Sequence, residues 1–192
     1  MNTILHIKFL IGLIFLININ LSAYKSNYFF TSADSTIQTQ DSSLQKIWEI
    51  ENNSLSTTNI LTSPNWFYLI SDSGLIKCYD FSGKEKWTTE VLGLTSNNSV
   101  LYKDLVLTAT VQGDLYSINS NNGEVLQVVG IGEDITSDLG IIEISTAASK
   151  TIGVVLGTSN GNIFCYDAFT FELLWEKNIC KNPILSTPLV AN

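Results

Sequence analysis

Apolar and polar positions alternate with a period of two along most of the chain, and turn residues interrupt the alternation every few positions. The clearest stretch runs from Ser71 to Trp87, SDSGLIKCYDFSGKEKW. Asp72, Ser73 and Gly74 predict a turn, Leu75 to Tyr79 an extended strand, Asp80 to Gly83 a second turn, and Lys84 to Val91 a strand alternating about Trp87. One such hairpin buries too little apolar surface to stand alone, so it must belong to a larger sheet assembly.

The same pattern recurs. Ser159 to Trp175 reads SNGNIFCYDAFTFELLW, and Val111 to Leu126 reads VQGDLYSINSNNGEVL, with Leu126 where the other copies carry tryptophan. A weaker copy, DSTIQTQDSSLQKIW, covers Asp34 to Trp48. The turn positions Ser35, Gly74, Gly113 and Gly161 lie 39, 39 and 48 residues apart, near the period of four-stranded propeller modules. Two residues after each turn position stands a large aliphatic: Ile37, Ile76, Leu115 and Ile163. Four residues after it stands a small side chain: Thr39, Cys78, Ser117 and Cys165. Both lie on one strand face, so the small residue lets a neighbouring sheet or a tryptophan come close. Six residues after the turn stand Asp41, Asp80, Asn119 and Asp167, short polar side chains that cap their own turn. Trp48, Trp87 and Trp175 close three modules and are expected to dock across the gap between sheets.

Between the hairpins, further strands are predicted at Tyr28 to Phe30, Leu44 to Ile50, Trp66 to Ile70, Val100 to Tyr102, Leu105 to Val111, Leu139 to Ile144 and Ile152 to Leu156. Both faces of Trp66 to Ile70 are apolar, as suits an inner strand buried between neighbours. Asn52 to Asn59, Leu92 to Asn98, Val128 to Ser137 and Ser145 to Lys150 read as loops. No helical period persists, so the fold is expected to be all-β: a partial propeller of three to four four-stranded antiparallel blades, part of a larger ring. Pro188, Leu189 and Val190 resemble the start of another module, and truncation of a longer chain is the expected reason.

Composition adds a leader. Lys8 followed by the apolar run Phe9 to Ile19 and by Leu21-Ser22-Ala23 predicts a signal peptide over residues 1–23, with the repeats over 24–192. The apolar run is short for a transmembrane helix, so no stable membrane span is expected after cleavage. The formal net charge is −8, and the chain has no arginine. Nucleic acid is excluded as a partner, because it needs a basic footprint. Cys78, Cys165 and Cys180 lack the close spacing of a zinc site, and Cys78 and Cys165 are not expected to pair because they occupy the same place in separate modules. The single histidine, His6, lies in the leader, so no histidine base is available after cleavage. Single turn glycines outside a βαβ unit do not make a phosphate loop. Glu133, Asp134 and Asp138 carry oxygens of the kind calcium prefers, but carboxylates at turns are more often structural. No catalytic, metal or cofactor residue is assigned. The assigned positions are structural: Gly74, Gly113, Gly161, Asp80, Asn119, Asp167, Trp48, Trp87 and Trp175.

The segments SGLIKCYDFSGKEKW, GDLYSINSNNGEVL and GNIFCYDAFTFELLW resemble the pyrroloquinoline-quinone-like repeat of quinoprotein propellers. Gly74, Asp80, Gly83 and Trp87 match its pattern, as do Gly113, Asn119 and Gly123, and Gly161, Asp167 and Trp175. Phe171 departs from it, standing where a second glycine is expected. The resemblance implies the propeller fold and two functional branches. Quinone-dependent dehydrogenases need adjacent cysteines and a calcium ligand set that this chain does not match. The non-enzymatic branch is similar to the propeller subunit of the outer-membrane β-barrel assembly machinery, though no lipid-attachment cysteine follows the leader.

The expected function is therefore an exported, non-enzymatic propeller scaffold or protein-binding module of the periplasm, cell envelope or exterior. It would need no cofactor, and its partner would be a protein or the remaining blades of the ring. The alternatives are a fragment of a quinone-dependent dehydrogenase, or a surface sensor or adhesion segment binding through Asn52 to Thr58 or Ser145 to Lys150.

Overall fold

The computed structural model describes residues 19–24, 30–32, 46–52, 60–95, 99–145 and 150–188. Among them there are strands and turns and no helix. The chain forms two compact units, Met1–Leu55 and Ser56–Asn192.

The smaller unit holds one three-stranded antiparallel sheet of β1 (Ile19–Tyr24), β2 (Phe30–Ser32) and β3 (Lys46–Asn52), in the order β2-β1-β3. β1 covers the end of the predicted leader. Ala23 pairs with Trp48, and the register shifts immediately afterwards, between Ala23 and Tyr24. Ser35, Ile37, Thr39 and Asp41 lie outside the described residues, and the residue opposite Trp48 is Ala23.

The larger unit is built from three four-stranded sheets, each a simple antiparallel meander. The first comprises β4 (Leu61–Thr62), β5 (Trp66–Ile70), β6 (Leu75–Asp80) and β7 (Glu85–Glu90). The second comprises β8 (Val100–Tyr102), β9 (Leu105–Ala109), β10 (Asp114–Asn119) and β11 (Val125–Gly130). The third comprises β12 (Gly140–Ser145), β13 (Lys150–Gly157), β14 (Asn162–Asp167) and β15 (Leu173–Asn178). The first strands of the sheets lie together, β8 touching both β4 and β12, so the sheets splay outward from an inner edge. This is a partial, unclosed propeller.

The cores lie between successive sheets. Tyr68, Ile70, Ile76 and Cys78 of the first sheet meet Val106, Tyr116 and Ile118 of the second. On the other face of the second sheet, Leu105, Leu107 and Leu115 meet Val154, Leu156, Phe164 and Tyr166 of the third. All five residues of β9 are buried, because both of its faces are covered. Ile76 and Leu115, the aliphatics two residues after the turn glycine, are fully buried, a state worth about 2–3 kcal/mol for each side chain. One predicted boundary moves. Val128 was read as the start of a loop because two glycines follow it closely, yet β11 runs on to Gly130 along its partner β10.

Candidate protein-interaction surface

Each sheet of the larger unit carries the same first turn. The amides of Gly74, Gly113 and Gly161 donate to the carbonyls of Ser71, Thr110 and Thr158 at 3.1, 3.1 and 3.2 Å. All three glycines have positive φ, +85, +97 and +79°, a region that a side chain disfavours. Their carbonyls accept from Val91, Ile131 and Ile179 at 2.9, 2.7 and 3.0 Å, which ties the end of the sheet to its own first turn. The repeat also contains a buried hydroxyl position ahead of each turn glycine. Three residues before each glycine stands a buried hydroxyl, Ser71, Thr110 or Thr158. Ser71 Oγ and Thr110 Oγ1 each accept the backbone N–H that opens the next strand, at 3.1 Å. The signal was present as Ser or Thr at one fixed offset in three modules.

The second turn is capped by the polar residue six positions on. Asp80 Oδ1 accepts from the amides of Ser82 and Lys84 at 2.9 and 3.1 Å. Asn119 Oδ1 accepts from Asn121 at 2.9 Å, and Asp167 Oδ1 from Phe169 and Thr170 at 2.8 and 2.9 Å. The Ser82 hydroxyl, with these amides, holds the Asp80 carboxyl below the usual carboxylate range. Phe171, in the glycine position of the third copy, adopts φ +56°. The turn geometry is thus kept even where glycine is replaced.

The sheets are joined at these second turns. Trp87 pairs with Cys78 across the strands, and its indole Nε1 donates to the Ser120 carbonyl at 3.0 Å. Its ring lies where a side chain on Gly123 would be, 2.6 Å from the ideal Cβ position. In the second sheet the residue opposite the small Ser117 is Gln127, not Leu126. Leu126 falls at the register shift, a slip that counting residues from the turn does not reveal. With its side-chain amide assigned so that the nitrogen faces the third sheet, Gln127 donates to the carbonyls of Phe169 and Thr170 at 3.3 and 3.1 Å. Gln127 therefore repeats the inter-sheet bond of Trp87 without its ring. Trp175 holds the same place opposite Cys165, but it is 39 % exposed. Leu173 and Ile179 are exposed near it. Trp48 is half-buried in the smaller unit.

The three cysteines are free thiols. Burial pushes the Cys78 thiol up to about 12 and the Cys165 thiol up to about 11, which suits packing and not nucleophilic chemistry. Glu133 accepts from the Thr158 hydroxyl and, at 2.7 Å, from Asn162 Nδ2. Asp138 accepts from Thr187 at 2.8 Å. These carboxylates fasten loops to neighbouring strands. Among the described residues, no three His, Cys, Asp or Glu side chains gather closely enough to hold a metal ion.

Two exposed apolar groups lie on the linker between the first two sheets. Leu92 is 81 % and Leu94 56 % exposed, although the linker backbone is fixed at several points. Thr95 N donates to Asp72 O at 3.0 Å and Val111 N to Leu94 O at 2.8 Å. Leu94 N donates to Gln112 Oε1 at 3.1 Å. Tyr116 Oη donates to Leu92 O at 3.4 Å. The peptide units are held to both sheets while the two leucines face solvent. Of the polar loops considered for a sensor or adhesion role, residues 53–59 and 146–149 lie outside the described residues.

The family model described as outer membrane protein assembly factor BamB matches residues 33–192. The chain belongs to the BamB family. The match places the chain among the non-catalytic propellers of the pyrroloquinoline-quinone-like repeat class. The crystal structure of BamB from Moraxella catarrhalis is 18 % identical, with a TM-score of 0.61 over 78 % of this chain and 49 % of that one. The computationally designed protein Ika8 is also 18 % identical, with a TM-score of 0.64 over 79 % of this chain and 45 % of that one. The designed protein Ika4 is 19 % identical, with a TM-score of 0.60 over 73 % of this chain and 83 % of that one. At these identities the likeness concerns the fold. The chain spans about half the length of BamB and of Ika8. No curated protein matches it in sequence. Among the described residues, no helix is long and apolar enough to cross a membrane.

Proposed function

We propose that this chain is an exported, non-enzymatic β-propeller scaffold that acts in outer-membrane protein assembly by binding another protein in the cell envelope. The observation that carries the reading is the linker from Val91 to Thr95, whose backbone is tied to both flanking sheets while Leu92 and Leu94 stand in water. Each leucine gains about 1.5–3 kcal/mol when buried. Because the backbone is already ordered, little further entropy is lost on docking, so the pair can anchor a partner as a small hot spot. Family membership supports the choice of partner class. The leader predicted from the sequence over residues 1–23 supports export, and Gly74, whose carbonyl accepts from Val91 N at 2.9 Å, ties the start of the linker to the first sheet, while Gly113, Gly161, Asp80, Asn119, Asp167 and Trp87 hold the turns and joints of the sheets themselves.

The test is binding of the purified chain to reconstituted outer-membrane β-barrel assembly machinery, measured by interferometry. Wild type is expected to bind, and Leu92→Ser with Leu94→Ser to weaken binding at least tenfold with unchanged circular dichroism. Equal binding by the variant, or no binding by either protein, removes the reading. Cell fractionation of a C-terminally tagged chain checks its location in the same experiment.

A further inference from the structure

The outer strands of the three sheets differ in a way that the repeat does not require. β7, β11 and β15 each end their sheet, and each pairs on one side only among the described strands. An unpaired strand edge presents a row of N–H and C=O groups to solvent and recruits other strands unless charge or proline blunts it. β7, EKWTTE, carries Glu85, Lys86 and Glu90, and β15, LLWEKN, carries Glu176 and Lys177. β11, VLQVVG, has neither charge nor proline. Val125 is 38 %, Leu126 45 % and Val128 50 % exposed along it. From Gln127 to Gly130 its pairing with β10 is regular, the register shift lying before Gln127. That stretch is straight enough to template a further strand.

The two faces of β11 are unequal. Gln127 is held by the carbonyls of the third sheet's second turn, and Val129 packs against the core between the second and third sheets. Val128 lies on the opposite face, beside its cross-strand partner Tyr116. An added strand can therefore set apolar side chains only against the Val128 face, and its remaining side chains must tolerate water.

We infer that β11 is a strand-addition site, which takes an extended segment of a partner polypeptide whose residues alternate between apolar and polar. The backbone ladder supplies the affinity and the Val128 face selects the alternation. Because β11 is uncharged, the pairing does not depend on salt. This inference deepens the protein-binding reading and rests on it, but it uses a different surface from the Leu92 and Leu94 linker.

The probe is a labelled peptide of about ten residues, the length of a long strand, alternating valine and threonine between terminal lysines. Its control is the same peptide with a central proline, which cannot complete a ladder. Fluorescence anisotropy at low and high salt is expected to show binding of the first peptide at both and of the second at neither. Val128→Lys is expected to weaken binding at least tenfold. Thr88→Lys on β7, and Leu92→Ser with Leu94→Ser, should leave it unchanged. Peptide addition should slow hydrogen exchange within residues 125–130. The inference is overturned if wild type does not bind the peptide, if the proline peptide binds equally, or if Val128→Lys binds as well as wild type while remaining folded by circular dichroism. It is also overturned if sedimentation shows a dimer that Val128→Lys dissociates, since the edge would then be occupied by a second copy. Peptide binding that survives the leucine substitutions while machinery binding was never present would remove the proposed function and leave the edge site standing.

Discussion

Replacing Trp87 and Trp175 separately by alanine tests whether position in the assembly, and not the repeat itself, sets the energy of the tryptophan. Both occupy the same place opposite a buried cysteine. Trp87 is half-buried, stacks obliquely on Tyr68 with ring centroids 5.8 Å apart, and donates to Ser120 O at 3.0 Å. A fully buried tryptophan costs about 3–5 kcal/mol on truncation to alanine. Partial exposure lowers that here, and the lost bond to the carbonyl adds about 1 kcal/mol. The sum for Trp87→Ala is about 3 kcal/mol. Trp175 has no described sheet beyond it and is 39 % exposed, so Trp175→Ala should cost less than about 1 kcal/mol. Urea unfolding followed by circular dichroism reads both. With a slope of roughly 1–3 kcal/mol/M for a small domain, Trp87→Ala should lower the midpoint by about 1 M or more and Trp175→Ala by a few tenths. Equal losses would refute the reasoning, because they would mean that both rings are covered to the same degree.

The remaining predictions concern the turns and the thiols. Gly74→Ala should cost at least about 2 kcal/mol, since φ is +85° and a Cβ would sit 2.6 and 2.7 Å from the carbonyl oxygens of Val91 and Gly93. Gly132→Ala has a similar φ of +82° with open space around it, so thermal melts of the two variants should show it to cost only about 1 kcal/mol. Phe171→Gly relieves a strained φ worth about 1 kcal/mol but deletes a buried ring worth about 3–5 kcal/mol, so calorimetry should show net destabilisation; a gain in Tm would contradict the packing described. Because burial raises the Cys78 and Cys165 thiols to about 12 and about 11, the unfolded chain ionises first as pH rises. Their contribution is complete below the ordinary thiol range and should be lost from about pH 9 upward, a loss that Cys78→Ala with Cys165→Ala should reduce.

The repeat was legible because its turns need particular residues. Glycine is demanded by a positive φ, and Asp or Asn by a carbonyl group that can bind its own turn amides, so Gly74, Asp80 and their counterparts could be counted directly. Most strand boundaries followed from the alternation, as at Trp66 to Ile70 and Val100 to Tyr102. The inter-sheet bond was half legible. Tryptophan announces itself by size and rarity, whereas Gln127 resembles any exposed polar residue, and a one-residue register shift moved it into the place assigned to Leu126. The exposed linker was read as a loop, but nothing in the letters of Leu92 and Leu94 tells that their backbone is fixed and their side chains are not covered. Phe171 shows the converse: the neighbouring packing holds an aromatic residue in a conformation that its own preference disfavours, so the turn survives a substitution that hid it.

The bonds that join one sheet to the next end on main-chain oxygens: the Trp87 indole on Ser120 and the Gln127 amide on Phe169 and Thr170. Every amino acid brings such an oxygen, so the receiving module need conserve only the path of its chain. Such a joint lets neighbouring modules drift apart in composition without coming undone, and it permits one fastening donor to be exchanged for another of quite different shape.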